Sequence, residues 1–105
     1  MIDARRMEVF TAVFNLTLQE ILPPQAMVLT PEVFESHLAK QRILFFGSGA
    51  AKWQAMAANA NALFATSFDS CAAMAMISHE QFTAANFVNL AYTEPFYLKE
   101  FYTGN

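Results

Sequence analysis

Gly47-Ser48-Gly49 is the stretch of this chain whose residue types and spacing point most directly to ligand chemistry. These residues follow the apolar run 43–46 and precede the alanine-rich segment 50–60. A glycine-rich turn between a strand and a helix can direct backbone N–H groups and a helix dipole at an anion. The stretch lacks the third glycine of a dinucleotide fingerprint and the Gly-Lys-Ser/Thr of a phosphate-binding loop. Two interpretations of this stretch are open, a vestigial nucleotide-binding loop and a tight turn that needs glycine backbone angles. The sequence favours the turn.

A polar cluster near the start of the chain consists of Asp3, Arg5 and Arg6. A carboxylate and a guanidinium this close in sequence can order a hairpin turn through charge-assisted hydrogen bonds. A catalytic role would require a nucleophile or a base nearby, and the sequence indicates none. We therefore interpret Asp3, Arg5 and Arg6, together with Glu8 in the strand that follows, as a structural turn motif, and we predict no catalytic residue.

Histidine and cysteine are too sparse to predict a metal or cofactor site. His37 and His79 are the only histidines, and their separation does not match the i, i+4 spacing that places two metal ligands on one helix face. Cys71 is the single cysteine, which excludes an internal disulfide and suits a reducing cytoplasm. Its alanine neighbours and Met74 predict a small buried side chain. We expect no metal, no cofactor and a cytoplasmic location.

The composition favours an interface with a partner protein over binding to nucleic acid or membrane. Hydrophobic residues make up 55% of the 105 residues and charged residues 14%, and the net charge is −3. The six lysines and arginines are scattered, so they form no stripe that could neutralise a phosphate backbone. Polar residues interrupt the longest weakly charged stretch, 53–78, so no membrane span is predicted. The excess apolar surface then predicts contact with a protein partner.

Four segments predict β-strands. Residues 7–15 are dense in β-branched and aromatic side chains. After a loop that Pro23-Pro24 is expected to keep free of regular structure, residues 25–29 predict a short strand antiparallel to the first. The apolar runs within 42–49 and 62–68 predict two further strands, the first of them buried.

Three segments predict helices, namely 30–41, 50–60 and about 71–82. Thr30 and Pro31 suit the N-cap and first position of the first helix, and Asp69 or Ser70 can cap the third. Helical spacing predicts the residues that face the core: Val33, Phe34, Leu38, Trp53 and Met56.

The order of these elements predicts a single α/β domain, with a mixed sheet against which the helices pack. The closing stretch 92–101 contains Glu94-Pro95, which disfavours a helix there. It predicts an extended, aromatic tail packed on the body of the domain.

Four stretches resemble one protein family in their order and spacing. IDARRMEVFTAVF (2–14) resembles a DAR-x-x-EVY hairpin, and LTPEVF (29–34) resembles the lead-in to a helix. FFGSGAAKW (45–53) resembles a GxG-x-x-x-W strand and turn, and TEPFYLKEF (93–101) resembles a closing xEPxYLR, with Lys99 where arginine is usual. The family is TsaB, also called YeaZ, the bacterial partner protein in threonylcarbamoyladenosine (t6A) modification of tRNA.

This resemblance implies that residues 1–105 are the C-terminal lobe of a two-lobe protein, a truncated actin-like ATPase (ASKHA, ribonuclease H-like) lobe. The absent N-terminal lobe would carry the family's homodimer contact and its contact with TsaD, the catalytic subunit. It implies a non-catalytic scaffold, although the superfamily carries a glycoprotease (M22) label, because the metal-binding histidine pair belongs to TsaD. The expected partners are a TsaD-like subunit and a TsaE-like ATPase, both through the full-length protein. Beyond the resemblance, the apolar face and unpaired strand edge that a missing lobe would expose predict pairing with a second copy of this chain.

Two other functions are open on the sequence. One is an enzyme fragment, either peptidase-like or nucleotide-binding through Gly47, Ser48 and Gly49. The other is an α/β interaction domain unrelated to TsaB. Direct contact with nucleic acid is not expected in any of these cases, because the basic residues are few and dispersed.

Overall fold

A computed structural model describes residues 1–100, which fall into two units. The first unit comprises Met1–Ser67 together with the described residues from Leu98 onward, and the second comprises Phe68–Tyr97. Their elements in chain order are β1 (Ile2–Asp3), β2 (Glu8–Phe14), β3 (Glu20–Val28), α1 (Glu35–Leu38), β4 (Ile43–Phe45), α2 (Ala50–Gln54), β5 (Ala62–Phe64) and α3 (Ser70–Thr83). The chain is therefore α/β, with short helices and short strands.

The strands β1, β2 and β3 form an antiparallel sheet in that order. The strand predicted over 7–15 is confirmed as β2. Its burial alternates, because successive side chains of a strand point to opposite faces. Val9, Thr11 and Val13 are buried on one face, whereas Phe14 on the other face is 49% exposed.

The prediction that Pro23-Pro24 prevents regular structure is wrong, because β3 begins at Glu20 and continues through both prolines. The register explains how the strand accommodates them. Thr11 lies opposite Gln25 and Val13 lies opposite Leu22, so the two prolines face a single residue of β2. A bulge of this kind on an edge strand is where proline is tolerated, since no ladder hydrogen bond is required from its nitrogen.

The first predicted helix is much shorter than expected. Residues 31–34 form turns, and α1 spans only Glu35–Leu38. Phe34 occupies the N-cap position, and no side chain caps the helix, so the predicted cap by Thr30 is wrong. The Thr30 backbone carbonyl instead accepts hydrogen bonds from the Val33 N–H (3.2 Å) and the Trp53 side chain, which fix this segment as a turn. The predicted inward positions Phe34 and Leu38 are confirmed as buried.

The strands β4 and β5 form a second, parallel sheet of two strands. Both were predicted. One face of β4 is buried through Ile43 and Phe45, but Leu44 between them is 55% exposed. The helix α2 between the two strands ends at Gln54 rather than near residue 60. The Asn59 side chain and carbonyl accept the N–H groups of Asn61 (2.9 Å) and Ala62 (3.0 Å), a local turn that competes with a longer helix.

The expectation of one mixed sheet is corrected to two sheets. The reason lies in β1, which is only two residues long. It pairs with Val9 and Phe10 of β2 and does not run along β4. The Met1 ammonium instead donates to the carbonyl of Phe46, just beyond the end of β4, at 2.7 Å.

An aromatic cluster forms the centre of the core in the first unit. The Trp53 ring lies 5.1 Å from that of Phe34 and 4.6 Å from that of Phe45, measured between centroids. Trp53 is 1% exposed and Phe34 fully buried. The predicted inward position of Trp53 is confirmed, and Met56 packs partly buried against the same cluster.

The second unit contains α3, where the prediction is confirmed almost to the residue. The Asp69 carboxylate accepts the Ala72 N–H at 3.0 Å and caps the helix. None of the residues of α3 is buried, and Cys71 is exposed, so its predicted burial is wrong. None of the helices within residues 1–100 is long and apolar enough to cross a membrane.

The expected packing of the tail is wrong for those of its aromatic side chains that the structure describes. Tyr92, Phe96 and Tyr97 are 79–85% exposed. Phe101, the last residue of the predicted tail, lies outside the described residues.

Candidate functional site

The glycine loop (Gly47-Ser48-Gly49) lies directly against the backbone of β1. Gly47 has a φ of +96°, in the left-handed region that favours glycine. A Cβ atom at Gly47 would lie 2.1 Å from the carbonyl oxygen of Met1. At Gly49 it would lie 2.9 Å from the Val9 side chain and 3.1 Å from the backbone of Ile2. Both glycines are therefore needed for the close approach of the loop to β1.

Polar groups of the loop are hydrogen-bonded to the same strand. The Gly49 N–H donates to the Met1 carbonyl at 3.2 Å, and the Asp3 N–H donates to the Ser48 hydroxyl at 2.9 Å. Burial beside this loop lowers the pKa of the Met1 ammonium below its usual value. This geometry favours the tight turn over the nucleotide loop, because the N–H group that opens α2 already has a protein acceptor. Nucleotide binding at Gly47–Gly49 stays a prediction.

The segment Ala4–Met7 forms the turn of the β1–β2 hairpin, and we call these residues the hairpin tip. The Ala4 N–H donates to the Glu8 carbonyl at 3.1 Å, and the Glu8 N–H donates to the Arg5 carbonyl at 3.3 Å. Arg6 adopts a left-handed conformation with a φ of 60°. The side chains of Arg5 and Arg6 are both exposed at the tip.

Lys52, in α2, is hydrogen-bonded to the backbone of the hairpin tip. Its ammonium donates to the backbone carbonyls of Ala4 at 2.6 Å and Arg6 at 2.5 Å, and more weakly to that of Glu8 at 3.4 Å. It also forms an ion pair with the Asp3 carboxylate. The Lys52 ammonium thus satisfies three backbone carbonyls and one carboxylate. The conformation of the hairpin therefore depends on a residue that is distant in sequence.

Sequence reasoning missed Lys52 entirely. It predicted that Asp3 would act with the neighbouring arginines, whereas the Asp3 carboxylate pairs with Lys52. The available signal was a lone lysine in an otherwise apolar stretch, three residues beyond Gly49. Its partners could not be inferred, because they are backbone carbonyls of a turn whose conformation the sequence does not specify.

Two further contacts connect this region to the rest of the first unit. The Lys99 ammonium donates to the Glu8 carboxylate at 2.7 Å, which brings the closing stretch of the chain to β2. The Trp53 indole N–H donates to the Thr30 carbonyl at 3.3 Å. The hairpin is therefore hydrogen-bonded to the glycine loop and to Lys99, and α2 is hydrogen-bonded to the segment that leads into α1.

The remaining titratable groups form no site within the described chain. No three His, Cys, Asp or Glu residues between positions 1 and 100 lie close enough together to hold a metal ion. His37 contacts the hydroxyl of its neighbour Ser36 at 3.4 Å. A groove of about 300 Å³ runs beside α1, with Glu32 and Glu35 at its rim and Leu38 and Trp53 at its floor. Leu38 and Trp53 are only 1% exposed, so they offer little surface to a ligand.

Comparison with known proteins identifies no relative of this chain. No protein-family model matches the sequence, and no curated protein or solved structure matches it significantly.

Proposed function

We propose that this chain is a non-catalytic scaffold subunit in t6A modification of tRNA, equivalent to the C-terminal lobe of a TsaB-like protein. It would act by supporting a TsaD-like catalytic subunit, with a TsaE-like ATPase as a further partner. The proposal includes the ASKHA-type lobe, a bacterial cytoplasmic location and an N-terminal lobe that supplies the main contact with the catalytic subunit.

One observation carries this proposal: the four stretches that resemble the family are joined by polar contacts. The joined pairs are Asp3 with Lys52, Asp3 with Ser48, Thr30 with Trp53, and Glu8 with Lys99. Each of the four stretches therefore forms a polar contact with at least one other stretch, and the residues in contact are up to 91 positions apart in sequence. The contacts support the proposal because they join the four stretches into one connected region of the first unit.

The glycine loop supports a scaffold over the alternative of a nucleotide-using enzyme. Its two glycines are required for packing against Met1, Ile2 and Val9. A loop conserved for phosphate binding would need its backbone N–H groups for the ligand. Here the Gly49 N–H and the Ser48 hydroxyl hold β1.

The test is co-purification of a TsaD-like subunit from the same organism with this chain and, in parallel, with the same chain preceded by a TsaB-type N-terminal lobe. The extended protein is expected to bind TsaD strongly and to restore t6A formation when mixed with TsaD, TsaE and the enzyme that supplies the threonylcarbamoyl group.

Failure of both versions to bind TsaD would contradict the proposed function and leave an unrelated α/β interaction domain as the better account. Hydrolysis of a peptide or nucleotide by purified chain, abolished by Gly49→Ala, would instead favour an enzyme.

A further inference from the structure

The hairpin tip carries two arginines that have no acidic partner among residues 1–100. Neither Arg5 nor Arg6 forms an ion pair with any residue in the described part of the chain, although the sequence contains nine aspartates and glutamates. In contrast to these arginines, two nearby lysines form ion pairs: Lys52 with Asp3 and Lys99 with Glu8. The tip is therefore a local positive patch on a chain with a net charge of −3.

Hydrogen bonds within the chain fix the backbone conformation of the tip without a partner. Lys52 binds the carbonyls of Ala4 and Arg6, and the Ala4 N–H is bonded across the turn. A preorganised backbone lowers the ordering entropy that a flexible loop would lose on binding. Arginine suits such a surface because its planar guanidinium can bind a carboxylate through two parallel hydrogen bonds.

The conformation of Arg6 is a second, independent observation. Its φ of 60° lies in the region where glycine or asparagine is favoured and arginine is rare. Residues held in such conformations concentrate at binding sites, where the surrounding structure enforces them. Arg6 therefore presents its side chain from a backbone conformation that its surroundings have to enforce.

We propose that the hairpin tip docks an acidic surface of the catalytic partner, with Arg5 and Arg6 each binding a carboxylate and the exposed Met7 adding apolar contact. This inference rests on the proposed function. A protein partner fits better than RNA, because two guanidiniums satisfy two carboxylates, whereas a phosphate backbone demands a longer run of cations.

The experiment measures the dissociation constant of a TsaD-like subunit for the protein, either as this chain or in the lobe-extended form, whichever binds, at about 0.05 M and about 0.3 M salt. The charge-reversal variant R5E/R6E is compared with wild type and with K40E/R42E, which makes the same change in charge at two exposed positions outside the tip. R5E/R6E is expected to weaken binding on the order of tenfold or more at low salt and to reduce its salt dependence. K40E/R42E is expected to stay within about twofold.

The variant R6G separates docking from folding. Glycine suits the left-handed position, so this variant keeps the turn, yet it lacks one guanidinium. It is expected to unfold no more easily than wild type and still to bind the subunit several-fold more weakly.

Each other result overturns the inference. If wild type binds and R5E/R6E binds equally well, the hairpin tip is not a docking surface, while the proposed function stands. If no form of the protein binds TsaD, the proposed function itself fails and the inference with it. If R5E/R6E loses affinity for tRNA but not for the subunit, the partner class is wrong.

Discussion

At the scale of single residues, the unusual backbone conformation of Arg6 is connected with the hydrogen bonds of Lys52. A left-handed conformation costs a non-glycine residue about 1–2 kcal/mol, and Arg6 adopts one with a φ of 60°. Lys52 offsets this cost by donating to the Arg6 carbonyl and to that of Ala4, while it pairs with Asp3. The hairpin conformation therefore depends on a cation contributed by α2.

Replacing Lys52 by methionine tests this dependence. The variant Lys52→Met retains most of the aliphatic stem but leaves three carbonyl acceptors and the Asp3 carboxylate without their donor. The free energy of unfolding is expected to fall by about 2 kcal/mol, because partly buried acceptors lose a charged hydrogen-bond donor. Urea denaturation followed by the fluorescence of Trp53, the single tryptophan, reports on the first unit selectively.

Lys40→Met is the matched control, since Lys40 is exposed and forms no ion pair within residues 1–100. It is expected to change the free energy of unfolding by less than about 0.5 kcal/mol. Equal losses in the two variants would mean that the carbonyl contacts of Lys52 contribute nothing to stability.

At the scale of elements, the sequence predicted strands better than helices, for a physical reason. The dense apolar runs that became β2, β4 and β5 were identified, because burial on a sheet face leaves a strong local pattern. The helices α1 and α2 were predicted several residues too long, because turn-forming hydrogen bonds to the Thr30 and Asn59 carbonyls override helix propensity. The bond from the Trp53 indole to Thr30 spans 23 positions and leaves no local pattern, whereas the turn at Asn59 is local and competes directly with the helix.

The same distinction applies to the candidate site. The hairpin, Gly47–Gly49 and the apolar Trp53 face were all recognisable from local sequence. The pairing of Asp3 with Lys52 across 49 positions was not, and neither was the passage of β3 through Pro23-Pro24. Both depend on where a strand or helix comes to lie in three dimensions.

The helix α3 gives a prediction of its own, because it has a side-chain cap and no buried residue. A 14-residue helix without tertiary burial is only marginally stable in water. Asp69→Ala removes the acceptor for the Ala72 N–H and is expected to destabilise the helix by about 1 kcal/mol. Far-ultraviolet circular dichroism should therefore show a loss of helix signal at 25 °C.

Asp69→Asn is the control, because its side-chain oxygen can still accept the same N–H, and it should retain nearly all of the signal. If Asp69→Ala and wild type give the same spectrum, α3 is stabilised by something other than its cap.

At the scale of the whole molecule, the antiparallel sheet carries large apolar side chains on both faces, although Glu8 and Glu20 also lie on the face away from the core. The register places Ile2 opposite Phe10, and Glu8 opposite Val28, on the face away from the core. On that outer face Ile2 and Val28 are each 63% exposed and Phe14 is 49% exposed. An antiparallel sheet with one solvated face normally carries polar residues there. The outer face therefore has the composition of a surface that another layer covers.

This face leads to the last prediction, that the chain associates with a second copy through the outer face of the sheet. Burial of apolar area drives such association, and light scattering over a range of micromolar concentrations should show a dimer in equilibrium with monomer. Phe14→Lys places a charge on the outer face at the end of β2 and is expected to weaken the dimer on the order of tenfold or more. Leu16→Lys makes the same kind of change in the β2–β3 loop, at a fully exposed position off the sheet, and should leave the dimer intact. A wild-type chain that remains monomeric throughout this range, or an equal effect of the two substitutions, would exclude the outer face as the self-association surface.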